Sequence, residues 1–279
     1  MPTPPLPLSV DHILGGRQRK QARDGWGGIF LQLLPILALL ALWQMASVTG
    51  WVNPYLLPSP LRVAAAILGA GKRGELARHV AASLLRVGEG FGITVCLALP
   101  LAVLASFAPR LTAAVNPLLT FLRNIPPLAL IPVLILWFGL GESSKLALIV
   151  LTSFFPVFMG AVTGLGSVDP RLVEMGWSLG FSRLRILERI QFPESVPSLL
   201  NGLRLGLGYS WRAIIGAEMI AAASGLGYWI LDAEEMARID VVFAGIFVIG
   251  ILGVLLDRAA YVAASRLLPW VDMRVQWFA

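Results

Sequence analysis

Long apolar runs alternate with short polar segments along this chain, and the runs set its architecture. Residues 29–48, IFLQLLPILALLALWQMASV, contain no charged side chain. At helical rise such a run reaches roughly 30 Å, the thickness of the hydrocarbon layer. Comparable runs at about 80–107, 112–139, 144–165, 198–223 and 241–264 predict five more crossings. The expected fold is an all-α integral membrane protein with six transmembrane helices. Pro35 should kink the first. Gly88 with Gly92 in the second span, and Gly202 with Gly206 in the fifth, have the spacing that lets one helix face approach another closely. The third holds Pro126, Pro127 and Pro132, which predicts a broken or bent helix. Such breaks line pathways or serve packing alone, and both readings stand. A short helix around 60–70 is expected at or outside the bilayer surface.

The chain then divides into a tail (1–28, extended at its proline-rich start), a first span (29–48) and an outer loop with a short helix (49–78). A core domain of five spans (79–265) and a C-terminal tail (266–279) follow. Charge orients it. Arg17, Arg19, Lys20 and Arg23 precede the first span, which predicts a cytoplasmic N-terminus and, with six spans, a cytoplasmic C-terminus. Residues 166–196 carry Arg171, Arg183, Arg185 and Arg189, whereas 224–240 carry Asp232, Glu234, Glu235 and Asp240 against Arg238. Arg62, Lys72, Arg73 and Arg78, in the first outer loop, run against this rule.

Composition agrees with a membrane protein: 57% of the 279 residues are hydrophobic and 14% charged, against about 25% charged in soluble domains. The net charge of +6 is explained by loop cations, and no basic patch interleaved with exposed aromatics suggests nucleic acid. The start of the chain lacks the pattern of a cleaved signal peptide. Cys96 is the one cysteine, which excludes a disulfide framework and a thiolate metal site. His12 and His79 are the only histidines, and no convergent set suited to intramembrane catalysis is apparent. The nearest approach to a nucleotide loop is AGKRG at 70–74. A P-loop requires glycine where Ala66 stands and a hydroxyl where Arg73 stands. No catalytic, cofactor-binding or metal-ligating residue is assigned.

The segment 174–193, EMGWSLGFSRLRILERIQFP, is polar and punctuated by glycine between two apolar runs. Asp169 and Pro170 suit the start of a short helix ending before Gly180. Ser182 suits the cap of a second, 183–191. Pro193 and Pro197 argue against a simple continuation into the fifth span. Leu184, Leu187 and Ile190 fall on one stripe, with Phe181 near its start and Arg185, Glu188 and Arg189 largely off it. Two readings remain open from periodicity: a cytoplasmic knob offered to a partner, or a linker folded back on its own spans.

The spacing Glu174-Met175-Gly176-x3-Gly180-x9-Ile190-x-Phe192-Pro193 closely resembles the EAA motif of ABC-importer permeases, with Met175-Gly176 in place of Ala-Ala and Phe192 in place of leucine. LPSP at 57–60, NIPPLALIPVLILWFGLGESSK at 124–145, NGLRLGLGYSWRAIIGAEMI at 201–220 and SGLGYWI at 224–230 are similar to the nitrate, sulfonate, taurine and bicarbonate permeases of that group. The resemblance implies a type I importer permease fold in a bacterial inner membrane, with a cytoplasmic coupling helix between spans four and five. It further implies a homodimer, two ATP-binding subunits that hold the ATP and Mg, and a periplasmic or lipid-anchored solute-binding protein. Glu174, Gly176, Gly180, Phe181, Leu184, Leu187, Ile190, Phe192 and Pro193 would then couple the chain to the ATPase.

The implied cargo is a small anion, an aliphatic sulfonate such as taurine or nitrate, with bicarbonate or a thiamine precursor as alternatives. Arg212, Glu218 and Trp211 are candidates for the pathway. Arg212 could instead pair with Glu218 or reach the bilayer surface, and Trp137, Trp211 and Trp229 could be interfacial anchors. Arg204 is also ionisable within the fifth span, and Asp257 and Arg258 read as anchors at the inner end of the sixth. A passive channel and an intramembrane enzyme are the competing classes. Neither needs the motif at 174–193.

Overall fold

Helices account for every regular element among the described residues. The computed structural model describes residues 26–53 and 55–267, with side chains from Leu34 to Arg266 except Pro54, Pro109 and Leu111. The expected N-terminal tail with its basic cluster, and most of the C-terminal tail, lie outside the described residues. The chain forms two units that meet after Val63. In the first, α1 (Trp26–Val48) runs through Pro35, and Ser47 Oγ donates to the Leu57 carbonyl at 2.9 Å, fastening the turn beyond the helix. The junction falls within α2 (Pro60–Lys72), the short helix expected near 60–70.

The second unit begins its long helices with α3 (Glu75–Phe107) and α4 (Pro109–Arg123), separated only by Ala108. A 3₁₀ turn (Pro127–Leu130) leads into α5 (Ile131–Phe138), and α6 (Glu142–Gly166) follows. After α7 (Pro170–Ser178), α8 (Arg183–Ile186) and a π turn (Leu187–Gln191) come α9 (Phe192–Ala221), α10 (Leu226–Glu235) and α11 (Ile239–Leu267).

Helices α3, α6 and α11 are each long and apolar enough to cross a membrane. Two bent pairs bring the total to as many as five. The first is the expected third span. Its halves diverge by 84° between Arg123 and Pro127, because neither Pro126 nor Pro127 can donate to the ladder. The second pair, α9 with α10, bends by 43°. Most of 224–240, which lies between the expected fifth and sixth spans, is helical as α10.

The expected interruption at Pro193 and Pro197 is not found: α9 includes both. The π turn is the reason. The Phe192 amide reaches back to the Leu187 carbonyl, widening the helix just where Pro193 brings a ring and no N–H.

Glycine decides the tightest crossing. A Cβ on Gly202 would lie 2.7 Å from the Pro156 carbonyl oxygen, and one on Gly160 2.7 Å from the Gly202 Cα. Backbone therefore meets backbone between α6 and α9, and Gly206 meets Val157 one turn on. The expected close approach at Gly202 and Gly206 is present. At Gly88 and Gly92 no helix of this chain approaches, since a Cβ on either would meet nothing within 4 Å; Gly90 instead faces Ile149. Buried Ala98, Ala102, Val157, Phe158 and Ala161 fill the core between α3 and α6. Gly202→Val should force the crossing apart and cost about 1–3 kcal/mol. Thermal unfolding of the detergent-solubilised protein checks this, with Gly88→Val expected to match the unaltered chain.

Candidate functional site

Two places carry polar chemistry in the second unit, at opposite ends of the antiparallel α6–α9 pair. At one end the chain from α7 to the π turn forms a knob. The Asp169 side chain accepts from the Arg171 amide at 2.9 Å and caps α7. The helix closes in a Schellman arrangement: Phe181 N–H donates to the Gly176 carbonyl at 3.0 Å and Gly180 N–H to that of Trp177 at 2.9 Å. Gly180 sits at φ +72°, where L side chains are strained. Ser182 Oγ then accepts from the Arg185 amide at 3.4 Å to start α8. The caps and hinge are those expected.

The inner packing of the knob differs from expectation. Leu187 is buried (9% exposed) and Ile186 is buried beside it, while Leu184 is 68% exposed. The Leu184–Leu187–Ile190 stripe is therefore split, Leu184 facing out and Leu187 in. Gly176 is buried, and a Cβ there would come within 2.9 Å of Ile190 and 3.1 Å of Ile186. It is the contact point of the two arms of the knob, and glycine lets them approach closely. Glu174 and Trp177 line a cavity of about 700 Å³ shared with Asn116 and Gln191. Met175, Trp177, Leu179, Leu184 and Phe192 are exposed. Arg185 extends over the half-buried Phe181 ring, 5.6 Å from its centroid, and Pro193 is exposed at the start of α9.

At the other end a charge cluster joins α3, α6, α9 and the α9–α10 turn. Arg86 donates through Nε and Nη2 to the two carboxylate oxygens of Glu142, at 2.6 and 2.9 Å. Its Nη1 donates to Glu218 Oε1 and to the Ser224 carbonyl, both at 2.8 Å, and Nη2 also to Ser224 Oγ at 2.9 Å. All its N–H groups are thus engaged. Lys145 donates to Glu142 at 2.8 Å. Glu218 is fully buried; Ser83 Oγ (2.8 Å) and the Gly227 amide (3.0 Å) complete its partners. A Cβ on Gly225 would run into the Glu218 carboxylate. Two cations and two carboxylates neutralise one another; Arg86, Lys145 and Glu218 are buried, whereas Glu142 is exposed, so the buried charge is matched within the cluster.

Two pathway candidates make contacts inside the chain. Glu218 belongs to this cluster, with Arg86 and not Arg212 as its partner. Trp211 is buried against α11, where it fills a helix contact and its Nε1 donates to the Ile249 carbonyl at 3.2 Å. Arg212 alone among the three is exposed, over the Tyr209 ring at 5.7 Å. Arg204 pairs with Asp257 at 2.8 Å between α9 and α11, and Arg258 lies over Tyr261. Trp137 is exposed at the end of α5, whereas Trp229 is buried and donates to Glu75 at 2.8 Å. The sequence reading did not single out Arg86, Glu142 or Lys145. Their signal was ionisable residues at the edges of apolar runs, without a spacing that pairs them.

A family model described as "Binding-protein-dependent transport system inner membrane component" matches residues 90–269. The chain is 36% identical to the taurine transport system permease protein TauC of Escherichia coli over 87% of its own length and 90% of that protein's. It is 34% identical to the putative aliphatic sulfonates transport permease protein SsuC of Bacillus subtilis, over 91% of each. With the formylaminopyrimidine transport permease protein ThiX of Halalkalibacterium halodurans it shares 33% identity over 84% of this chain and 93% of that one. In fold it is similar to a solved chain described under inward-facing conformations of the MetNI methionine ABC transporter. That likeness has a TM-score of 0.51 at 18% identity and covers 65% of this chain and 94% of that one.

Proposed function

The chain belongs to the family of binding-protein-dependent transport inner membrane components, and from that premise we propose that it forms the membrane pathway for a small organic sulfonate, driven by a separate ATPase gripping residues 174–193. It is a multi-pass inner-membrane transport permease, and its family is one of transport subunits rather than enzymes. The cargo reading is supported by the taurine and aliphatic-sulfonate relatives. The ThiX relative keeps a thiamine precursor as the second reading.

One observation carries the coupling role. Trp177, Leu179 and Leu184 are exposed on a segment that also carries exposed Arg183, Arg185, Glu188 and Arg189. Such a charged segment lies outside the hydrocarbon, so lipid cannot cover its apolar residues, and a protein groove can. The capped helices and the Gly180 hinge hold them in a fixed shape. The working complex is then two copies of this chain, two ATPase subunits that hold ATP and Mg, and a solute-binding protein on the outer face. Both termini are cytoplasmic. ATP-driven closure of the ATPase pair moves the knobs together. The pathway shape that better fits the closed pair gains population, since a partner shifts only states it distinguishes.

Co-expression with the ATPase and binding protein, followed by purification through a tag on this chain and reconstitution into proteoliposomes, tests the reading. The ATPase should co-purify. Taurine or a short alkanesulfonate should enter only with ATP and the binding protein. Absence of ATPase from the purified complex would defeat the coupling role; uptake of formylaminopyrimidine with no sulfonate uptake would replace the cargo.

A further inference from the structure

Arg86 and Arg123 both border apolar stretches of the second unit, and their surroundings are opposite. The Arg86 guanidinium has every N–H committed, and its charge is matched by Glu142 and Glu218. Arg123 has no hydrogen-bond or ion-pair partner among the described residues. Its exposed side chain borders an open cavity of about 600 Å³ at the break of the third span, walled on one side by the central turns of α6 and α9. The same cavity takes Tyr209, whose hydroxyl also lacks a hydrogen-bond partner among the described residues. Arg212, one turn further along α9, lies over that Tyr209 ring. Phe155, Met159 and Leu205 make the apolar wall.

An ionisable group at membrane depth is costly and marks a pathway or site unless it is paired. Breaks in spanning helices place such sites near mid-membrane. The cavity is within the usual range for small-molecule sites. Its lining is divided as a short alkanesulfonate is divided: cation and hydroxyl for the anionic head, an apolar wall for the carbon chain. Building on the sulfonate reading above, we propose that this cavity is a transit site for the sulfonate head group. Arg123 is the cation that meets the head, the Tyr209 hydroxyl donates to it, and Arg212 adds positive potential from behind the ring. The site holds cargo weakly, as passage requires.

The test uses the whole transporter, with its ATPase and binding protein, in proteoliposomes, and reads radiolabelled taurine moved per ATP hydrolysed. Arg123→Gln should lower that ratio about tenfold, the loss of one charge-assisted hydrogen-bonded contact. Hydrolysis stimulated by the loaded binding protein should stay within about twofold, because Arg123 holds no structural contact. Arg123→Lys, which keeps the charge and loses the fork, should recover part of the ratio. If Arg123→Gln is not recovered from the membrane, Tyr209→Phe carries the test, with a fall of about fivefold expected. Uptake and hydrolysis falling together, at constant ratio, assign Arg123 a structural role and overturn the proposal, as does an unchanged ratio in either variant. No taurine or alkanesulfonate uptake by the unaltered transporter overturns the cargo reading first, and the transit site with it.

Discussion

Glu218→Ala is expected to destabilise the permease by about 3 kcal/mol or more, the usual result of removing one partner from a buried ion pair. The carboxylate is fully enclosed and holds Arg86, Ser83 and the Gly227 amide. Its removal leaves the Gly227 amide with no acceptor and one Arg86 N–H without its anion. Glu142 still engages the other side of Arg86, at 2.6 and 2.9 Å, so the cluster is weakened rather than dismantled. Glu218→Gln keeps an acceptor oxygen and should cost less, about 1–3 kcal/mol. The informative comparison is the pair Arg86→Met with Glu218→Leu. Replacing a buried ion pair by apolar side chains is often neutral, so the double variant should be more stable than Glu218→Ala alone. Thermal unfolding in detergent, followed by the intrinsic fluorescence of buried Trp211 and Trp229, reads all of these. Equal melting of Glu218→Ala and the unaltered chain would show that the carboxylate does not hold this end together.

How much of this was legible in the sequence follows from the range of the interactions. Asp169, Ser182 and Gly180 act on backbone within two to five positions, so their cap and hinge roles could be read from local pattern. The break at Pro126 and Pro127 is equally local. The charge cluster is the reverse case: Arg86 meets Glu142 across 56 positions and Glu218 across 132. No periodicity ties such residues together, and Glu218 was therefore offered to Arg212 on its own helix. The Gly88–Gly92 pair meets no helix of its own chain, because a small-residue spacing permits close approach without naming which face is approached; Ile149 comes against Gly90 instead. The π turn was hidden for a different reason. A stripe drawn at 3.6 residues per turn assumes a regular helix, and Pro193 was read as a breaker when the wider turn before it absorbs the missing donor.

The burial of Leu187 sharpens what a substitution in the knob should do. Leu184→Glu places charge on a side chain that is 68% exposed and touches little of its own chain. Folding and membrane insertion should survive, while an apolar anchor lost from a docking groove costs at least about 2 kcal/mol, or roughly 30-fold in affinity for the ATPase. ATPase recovered with the tagged permease should fall accordingly, and ATP-dependent uptake with it. Leu187→Glu buries an unpaired carboxylate where a buried leucine stood, so it should lower the amount of folded permease itself. Gly180→Pro attacks the hinge: proline cannot reach φ +72° and deletes the N–H that closes α7 on the Trp177 carbonyl. It should displace the exposed Leu179 and Leu184 relative to each other while leaving α6 and α9 crossed at Gly160 and Gly202. Uptake should therefore be lost in Gly180→Pro at normal permease abundance, as in Leu184→Glu. Should Leu184→Glu and Gly180→Pro both retain the ATPase and transport at the normal rate, the partner must grip another surface, and the exposed apolar residues of the knob would need a different cover.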